Sequence, residues 1–380
     1  MCGGRARRAK RRTRFHMHNQ DALENDLKTC PEKGKGKLLY IEVLRVLAII
    51  AVIYVHTPLA WSSAEDLNCS PWVSWLTLGL RPLFSINVPL FFMISGALML
   101  SRSEAFDKKY FRRIYRMVVV LLAYWLIQYA ACISLGDATF GIRTYVRTLF
   151  AGQGFWRVSP NASWFFYAYL LLLVFMPFIS MLANKMRNVD FLYLFAIQVL
   201  IGCILPPLTH FVGAEFTIIS QPFSSIRPFS LVFGAYYMLL GYFAAVRIEA
   251  MQDIGKWKWP FVAGVIVFAG LALYTKNPLW LPPVALAVFL AVKGIMNRLT
   301  LGKVMTKLLL LCGSAVFTVM ITENIFRTLL ADWCMTPNGT AEAWGISSYL
   351  VVWVGIITVW LCATALGIVL KQIPVIKRYL

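Results

Sequence analysis

Three ionisable side chains share one apolar run, Leu38 to Pro58: Glu42, Arg45 and His56. On insertion scales a charged residue at the centre of a membrane helix costs ~2.5–3.5 kcal/mol, so it usually has a partner or a task. Their spacing suits a helix, which turns about 100° per residue. Arg45 and His56 are eleven residues apart, which is three turns plus about 20°. Glu42 is an i,i+3 neighbour of Arg45, so all three fall on one stripe. Glu42 precedes Arg45, the favourable order for a helical ion pair, and that pair lowers the cost of burying the guanidinium. Eleven residues rise about 16 Å, roughly half the hydrocarbon thickness. An anion-binding group toward the inner side is thus aligned with a candidate general base farther out, just before Thr57 and Pro58. Each residue alone has a plainer explanation. A histidine at a span end can bond a lipid headgroup, and an arginine near the inner end can snorkel. The shared stripe is what sets them apart.

The elements that must carry this stripe follow from composition. Apolar residues make up 59% of the 380 residues and charged residues only 14%, well short of the roughly 25% charge typical of soluble domains. The apolar residues come in runs of about 20, the length that spans a bilayer as helix. Period-two alternation is absent, so the spans are helices and not a barrel. The fold class is all-α, a polytopic membrane protein of about ten transmembrane helices. The expected spans are 38–58, 72–100, 114–135, 164–183, 190–210, 227–246, 259–275, 279–296, 308–331 and 346–370.

Charge orients them. The net charge of +20 would suggest nucleic acid in a soluble protein, but here topology accounts for it. Most of the 37 Lys and Arg lie in segment 1–37 and in the loops at 101–116, 184–189, 247–258, 293–307 and 371–380. The opposite loops hold Arg143, Arg147, Arg157 and Lys276. Both termini are therefore expected in the cytoplasm, with 1–37 a basic disordered tail and 38–380 the membrane domain. Segment 1–37 lacks the apolar h-region of a signal peptide. No metal is expected: the eight cysteines form no CxxC, and the four histidines, His16, His18, His56 and His210, form no zinc spacing with them. Cys69 and Cys334 fall in outer loops, where a disulfide could form. His210 ends a span after Pro206-Pro207, a place that suits an interfacial role.

The motifs around the stripe resemble the acyltransferase-3 family of integral membrane acyltransferases. Glu42-Val-Leu-Arg45-Val-Leu-Ala48 followed by His56 is similar to its acidic-x-x-Arg pattern with His eleven later, with Glu where Asp is commoner. Val88 to Gly96 contains Phe91-Phe92-Met-Ile-Ser95-Gly96, similar to the family's FF-x-x-SG. Arg113-Ile-Tyr-Arg116 resembles its RxxR, and Trp164-Phe-Phe-Tyr167 with Pro177 its W-F-x-Y…P. Each motif is weak alone, but the four occur in order over about 140 residues. The likeness is to the surface-polysaccharide O-acetyltransferases. One stretch departs from the pattern: Glu323 stands roughly where many members carry a second histidine.

The resemblance implies a bacterial cytoplasmic-membrane enzyme that takes an acyl group, acetyl first, from acyl-CoA to a hydroxyl of a cell-surface or lipid-linked glycan. It implies that Arg113 and Arg116 bind the CoA phosphates, a task that suits the bidentate guanidinium. The positive-inside rule alone would also put basic residues there. Arg45 would hold the thioester arm or polarise its carbonyl, Glu42 would orient it, and His56 would take the acceptor's proton. No GxSxG supports a nucleophilic serine, and Ser95 reads better as a close-packing site. Arg81, Asn87, Trp164, Tyr167, Arg227, Glu323 and Arg327 are weaker candidates to line the acceptor site. Glu323 and Arg327 could simply neutralise each other at i,i+4, and Trp164 and Tyr167 could be interfacial belt residues. Two other classes stay open: a lipid-linked glycan transporter or flippase, which should show an internal repeat, and a non-catalytic subunit of a polysaccharide export complex, which would not need the stripe.

Overall fold

The computed structural model describes residues 31–57, 79–101, 106–134, 141–151, 163–200, 231–248, 281–330 and 348–373, with isolated positions between 136 and 274. Within them the protein is all-helical. The helices are α1 (Pro31–Val55), α2 (Asn87–Met99), α3 (Lys108–Ser134), α4 (Ile142–Ala151), α5 (Ser163–Lys185), α6 (Asn188–Val199), α7 (Leu231–Tyr242), α8 (Leu281–Met296), α9 (Lys303–Leu329) and α10 (Ser348–Leu370). Five described helical segments are long and apolar enough to cross a membrane: Gly79–Met99, Lys108–Ser134, Trp164–Lys185, Lys303–Leu329 and Tyr349–Leu370. The protein is therefore a polytopic membrane protein. Only isolated positions of the expected span 259–275 are described, and the second half of 190–210 lies outside the described residues, as do His16, His18, Cys69, His210, Arg227 and Cys334.

α1 is central. It packs on α2, α8, α9 and α10, and its Leu44, Ala48, Ile49, Ile53 and Tyr54 have no solvent exposure. Lipid tails are as apolar as leucine, so helices associate here by close fit and polar contacts more than by hydrophobic burial. The fit is tightest where α2 crosses α7. A Cβ on Gly96 would fall 1.9 Å from the Met238 carbonyl oxygen, and one on Gly241 would fall 2.0 Å from that of Met93. Each glycine thus admits the backbone of the methionine three residues before the other glycine. Ser95 meanwhile donates to the Phe91 carbonyl within its own helix at 2.9 Å.

α7 ends in a single π-helical turn, Phe243–Arg247. Lys293 closes it. Expected in an inner loop, Lys293 instead lies buried near the end of α8, and its ammonium donates to the Ala244 and Ala245 carbonyls at 3.1 and 2.7 Å. The geometry follows from the π turn, whose wider spacing frees carbonyls for another donor.

Candidate active site

α1 and α9 run side by side in the same direction and meet at two places. Near the first, a Cβ on Gly313 of α9 would fall 1.9 Å from Oε2 of Glu42. Gly313 is thus the space into which the Glu42 carboxylate fits. Farther along, Glu323 of α9 meets His56 at the end of α1.

Why α1 ends at His56 is local. Pro58 disfavours helical backbone at Thr57. The His56 N–H still reaches the Val52 and Ile53 carbonyls at 3.3 and 3.2 Å, and Thr57 turns its hydroxyl onto the Tyr54 carbonyl at 2.6 Å. The imidazole thus leaves the helix at its carbonyl end, where the dipole favours positive charge.

The imidazole Nδ1 lies 2.9 Å from Glu323 Oε1. The Glu323 side chain is 0% exposed and that of His56 20%. With Glu323 taken as a carboxylate, which can only accept, the contact assigns the shared proton to Nδ1 and leaves the Nε2 lone pair free. That tautomer is the one a general base needs, and the carboxylate also stabilises the cation formed when Nε2 takes a proton.

The surroundings of Glu323 are polar for a membrane interior. Its Oε2 is 3.9 Å from Arg327 Nε, too far for a hydrogen bond. Arg327 instead donates from Nη2 to Asn324 Oδ1 at 3.0 Å. From α3, buried Tyr124 lies close to both Glu323 and Asn324, and Gln128 donates to the Ile321 carbonyl at 3.0 Å.

At the other end of the stripe, Arg45 Nη1 donates to Glu42 Oε1 at 2.7 Å. Their side chains are 32% and 12% exposed. Lys371, just past α10, donates to the Ser314 carbonyl, one residue from Gly313. It lies within electrostatic reach of both Arg45 and Glu42. Burial first, and Arg45 second, push its ammonium below the ordinary lysine value.

The weaker candidates scatter. Arg113 is half-buried and Arg116 exposed on the first turns of α3, after Asp107, which accepts the Tyr110 N–H at 2.8 Å. Arg81 is half-buried near Tyr54. The Tyr167 hydroxyl accepts the Trp125 indole N–H at 2.8 Å, which ties α5 to α3. Trp164 packs its edge on Phe165. Asn87 accepts the Val88 N–H at 2.7 Å and is buried.

A family model described as an acyltransferase domain, the acyltransferase-3 type, matches residues 38–370. The chain belongs to the acyltransferase-3 family. It is a membrane-bound acyltransferase. The match runs from Leu38, within α1, to Leu370 at the end of α10. No match was found among curated proteins or among solved structures. For this acyltransferase, sequence reasoning joined Glu42, Arg45 and His56 by helical period. It did not join His56 to Glu323, nor Lys371 to the Ser314 carbonyl. Those contacts link residues 267 and 57 apart in sequence, beyond the reach of any local pattern.

Proposed function

We propose that this acyltransferase moves an acyl group, acetyl first among the candidates, from cytoplasmic acyl-CoA to a hydroxyl of a cell-surface or lipid-linked glycan, with His56 as the general base. On this reading it lies in a bacterial cytoplasmic membrane with ten spans and both termini inside. The observation that carries the reading is the bond between His56 Nδ1 and the buried Glu323 carboxylate. A histidine held by a carboxylate, with Nε2 left over, is costly to bury and has an evident chemical use. A flippase or a passive subunit has no need of it.

The steps follow from the residues. The acceptor O–H gives its proton to Nε2 while its oxygen attacks the thioester carbonyl carbon. The C–O bond forms and the carbonyl electron pair moves to oxygen. The pair then returns, the C–S bond breaks, and the thiolate leaves and recovers the proton from the imidazolium. Glu323 stabilises that imidazolium. Arg113 and Arg116 would bind CoA phosphates on the inner side.

The test compares the surface glycans of a deletion strain complemented with wild type or His56→Ala, by mass spectrometry. Loss of one acyl mass in the deletion strain, restored by wild type and not by His56→Ala at equal membrane levels, is expected. Full restoration by His56→Ala would exclude the proposed base.

A further inference from the structure

The inner end of the stripe gathers charge from three helices. α1 supplies Glu42 and Arg45, the α9 backbone supplies the Ser314 carbonyl, and the residue after α10 supplies Lys371. Two cations face one carboxylate. Glu42 Oε1 is taken by Arg45, and Glu42 Oε2 is buried with no hydrogen-bond partner. Like charges held together in a half-buried place oppose the fold unless an anion joins them. Positive-inside bias explains why a lysine follows the last span. It does not explain why its ammonium is drawn back onto the Ser314 carbonyl, next to the Gly313 that faces Glu42.

A length argument says which anion fits. Arg45 and His56 are separated by a rise of about 16 Å along α1. The phosphopantetheine arm of CoA has about thirteen bonds from phosphorus to sulfur. An extended chain covers 3.3–3.6 Å for every three bonds, so the arm reaches roughly 15 Å. A thioester level with His56 therefore puts the phosphate about level with Arg45 along the helix axis.

We infer that Lys371 and Arg45 together form a phosphate-ester site that holds the inner end of the donor's pantetheine arm along α1. The inference rests on the acyl-CoA reading above. It gives Arg45 the phosphate and not the thioester carbonyl, and leaves Arg113 and Arg116 for the nucleotide end.

The experiment titrates the purified full-length protein in detergent micelles with CoA, 4′-phosphopantetheine and S-acetyl-pantetheine, which has no phosphate. Lys371→Met should weaken CoA and phosphopantetheine on the order of tenfold, the loss of one charge-assisted contact. It should leave S-acetyl-pantetheine unchanged, and Lys371→Arg should retain affinity for all three. Unchanged phosphopantetheine affinity in Lys371→Met overturns the site, as does equal weakening of the phosphate-free probe. Phosphatidylglycerol retained by wild type but lost by Lys371→Met, with phosphopantetheine affinity unaltered, would assign the anion to a lipid headgroup and also overturn it. If wild type binds none of the three probes, the acyl-CoA reading falls with this one. If wild type binds CoA and Lys371→Met binds it equally, only this inference falls.

Discussion

The two ends of the α1–α9 contact are built from similar parts and arrive at opposite electrostatics. At the His56 end, the outer one on the proposed topology, one buried carboxylate, Glu323, takes a histidine at 2.9 Å, and the nearest guanidinium stays 3.9 Å away. At the Arg45 end, the inner one on that topology, the Glu42 carboxylate takes a guanidinium at 2.7 Å, and a second cation, Lys371, lies within electrostatic reach. With Glu323 ionised, the first arrangement suits a proton on Nδ1 and a free lone pair on Nε2. The second leaves positive charge over. What differs is the helix end on which each carboxylate's partner sits. His56 leaves α1 at its last turn and points across to α9, whereas Arg45 lies mid-helix and folds back on its own i−3 neighbour. One pair of helices can thus present proton chemistry at one depth and anion binding at another.

That contrast makes damage to each end separable. His56→Ala gives the largest effect expected. It removes the base and should lower the acyl-transfer rate by ~10²–10⁴, with CoA affinity unchanged because the inner end is untouched. Rate and affinity measured on the same preparation decide it. A parallel loss of CoA affinity would mean that the two ends act as one site.

Glu323→Gln comes next. The amide keeps the shape but lacks the charge, and it can present an N–H to Nδ1, favouring the wrong tautomer. A hydrogen bond to a charged group contributes about 1.5–3 kcal/mol, so the rate should fall about tenfold to a hundredfold. Glu323→Asp, which keeps the carboxylate, should recover part of it. A rate in Glu323→Gln equal to wild type would reduce the pairing to a packing contact.

Gly96→Leu should spare both ends and cost stability. Its Cβ alone would fall 1.9 Å from the Met238 carbonyl oxygen. Backbone cannot yield as a side-chain tip does, and overpacking of this kind typically costs about 1–3 kcal/mol. A lower melting temperature with unchanged activity per folded molecule is the expected result. A selective loss of CoA binding would instead connect the α2–α7 crossing to the inner end.

How far the sequence reaches is visible in the same residues. Runs of apolar residues located α5, α8 and α10 to within about two residues at each end, because span length is fixed by the bilayer, but α4 (Ile142–Ala151) falls where an outer loop is expected and α1 begins at Pro31, ahead of the expected 38. α3 begins at Lys108, earlier than the expected 114, since basic residues can extend a helix into the headgroup region. The Glu42–Arg45 pair was legible because it lies within one helix turn. Ser95-Gly96 was legible as close packing, although the partner helix was not. From sequence Glu323 is a weak acceptor-site candidate that stands roughly where the family pattern carries a histidine, with neutralisation by Arg327 at i,i+4 as the plainer reading. Its real neighbour, His56, is set by how α1 and α9 lie together. Lys371 was counted only as an inner-loop charge, as was Lys293, because a charge count holds no information on what an ammonium touches. Tyr167 reads from sequence as an acceptor-site or interfacial belt residue, and its hydrogen bond to Trp125 is again a contact between helices.

The smallest effect expected concerns Lys371 itself, and it tests the inner end without any ligand. Burial, then Arg45, hold its folded value below the ordinary lysine value of 10.5. Charging it therefore costs the folded state more than the unfolded chain. The sign follows by linkage. Below the folded value Lys371 is charged in both states, and the fold bears the full cost. Between the folded value and 10.5 the unfolded chain binds more protons, so stability rises with pH. Above 10.5 both states are neutral and the cost is gone. Other groups titrate in that range, so the measurement is the difference in melting temperature between Lys371→Met and wild type, taken in ligand-free micelles from neutral pH upward. The variant should be the more stable at neutral pH by a small margin, reduced by the lost bond to the Ser314 carbonyl and by solvent screening. The margin should shrink as pH approaches 10.5. Saturating CoA should reverse the order, because wild type gains binding energy that the variant lacks. A difference that stays flat with pH would show that Lys371 does not sit against Arg45 in an opposed field, and the contrast between the two ends of the stripe would lose its inner half.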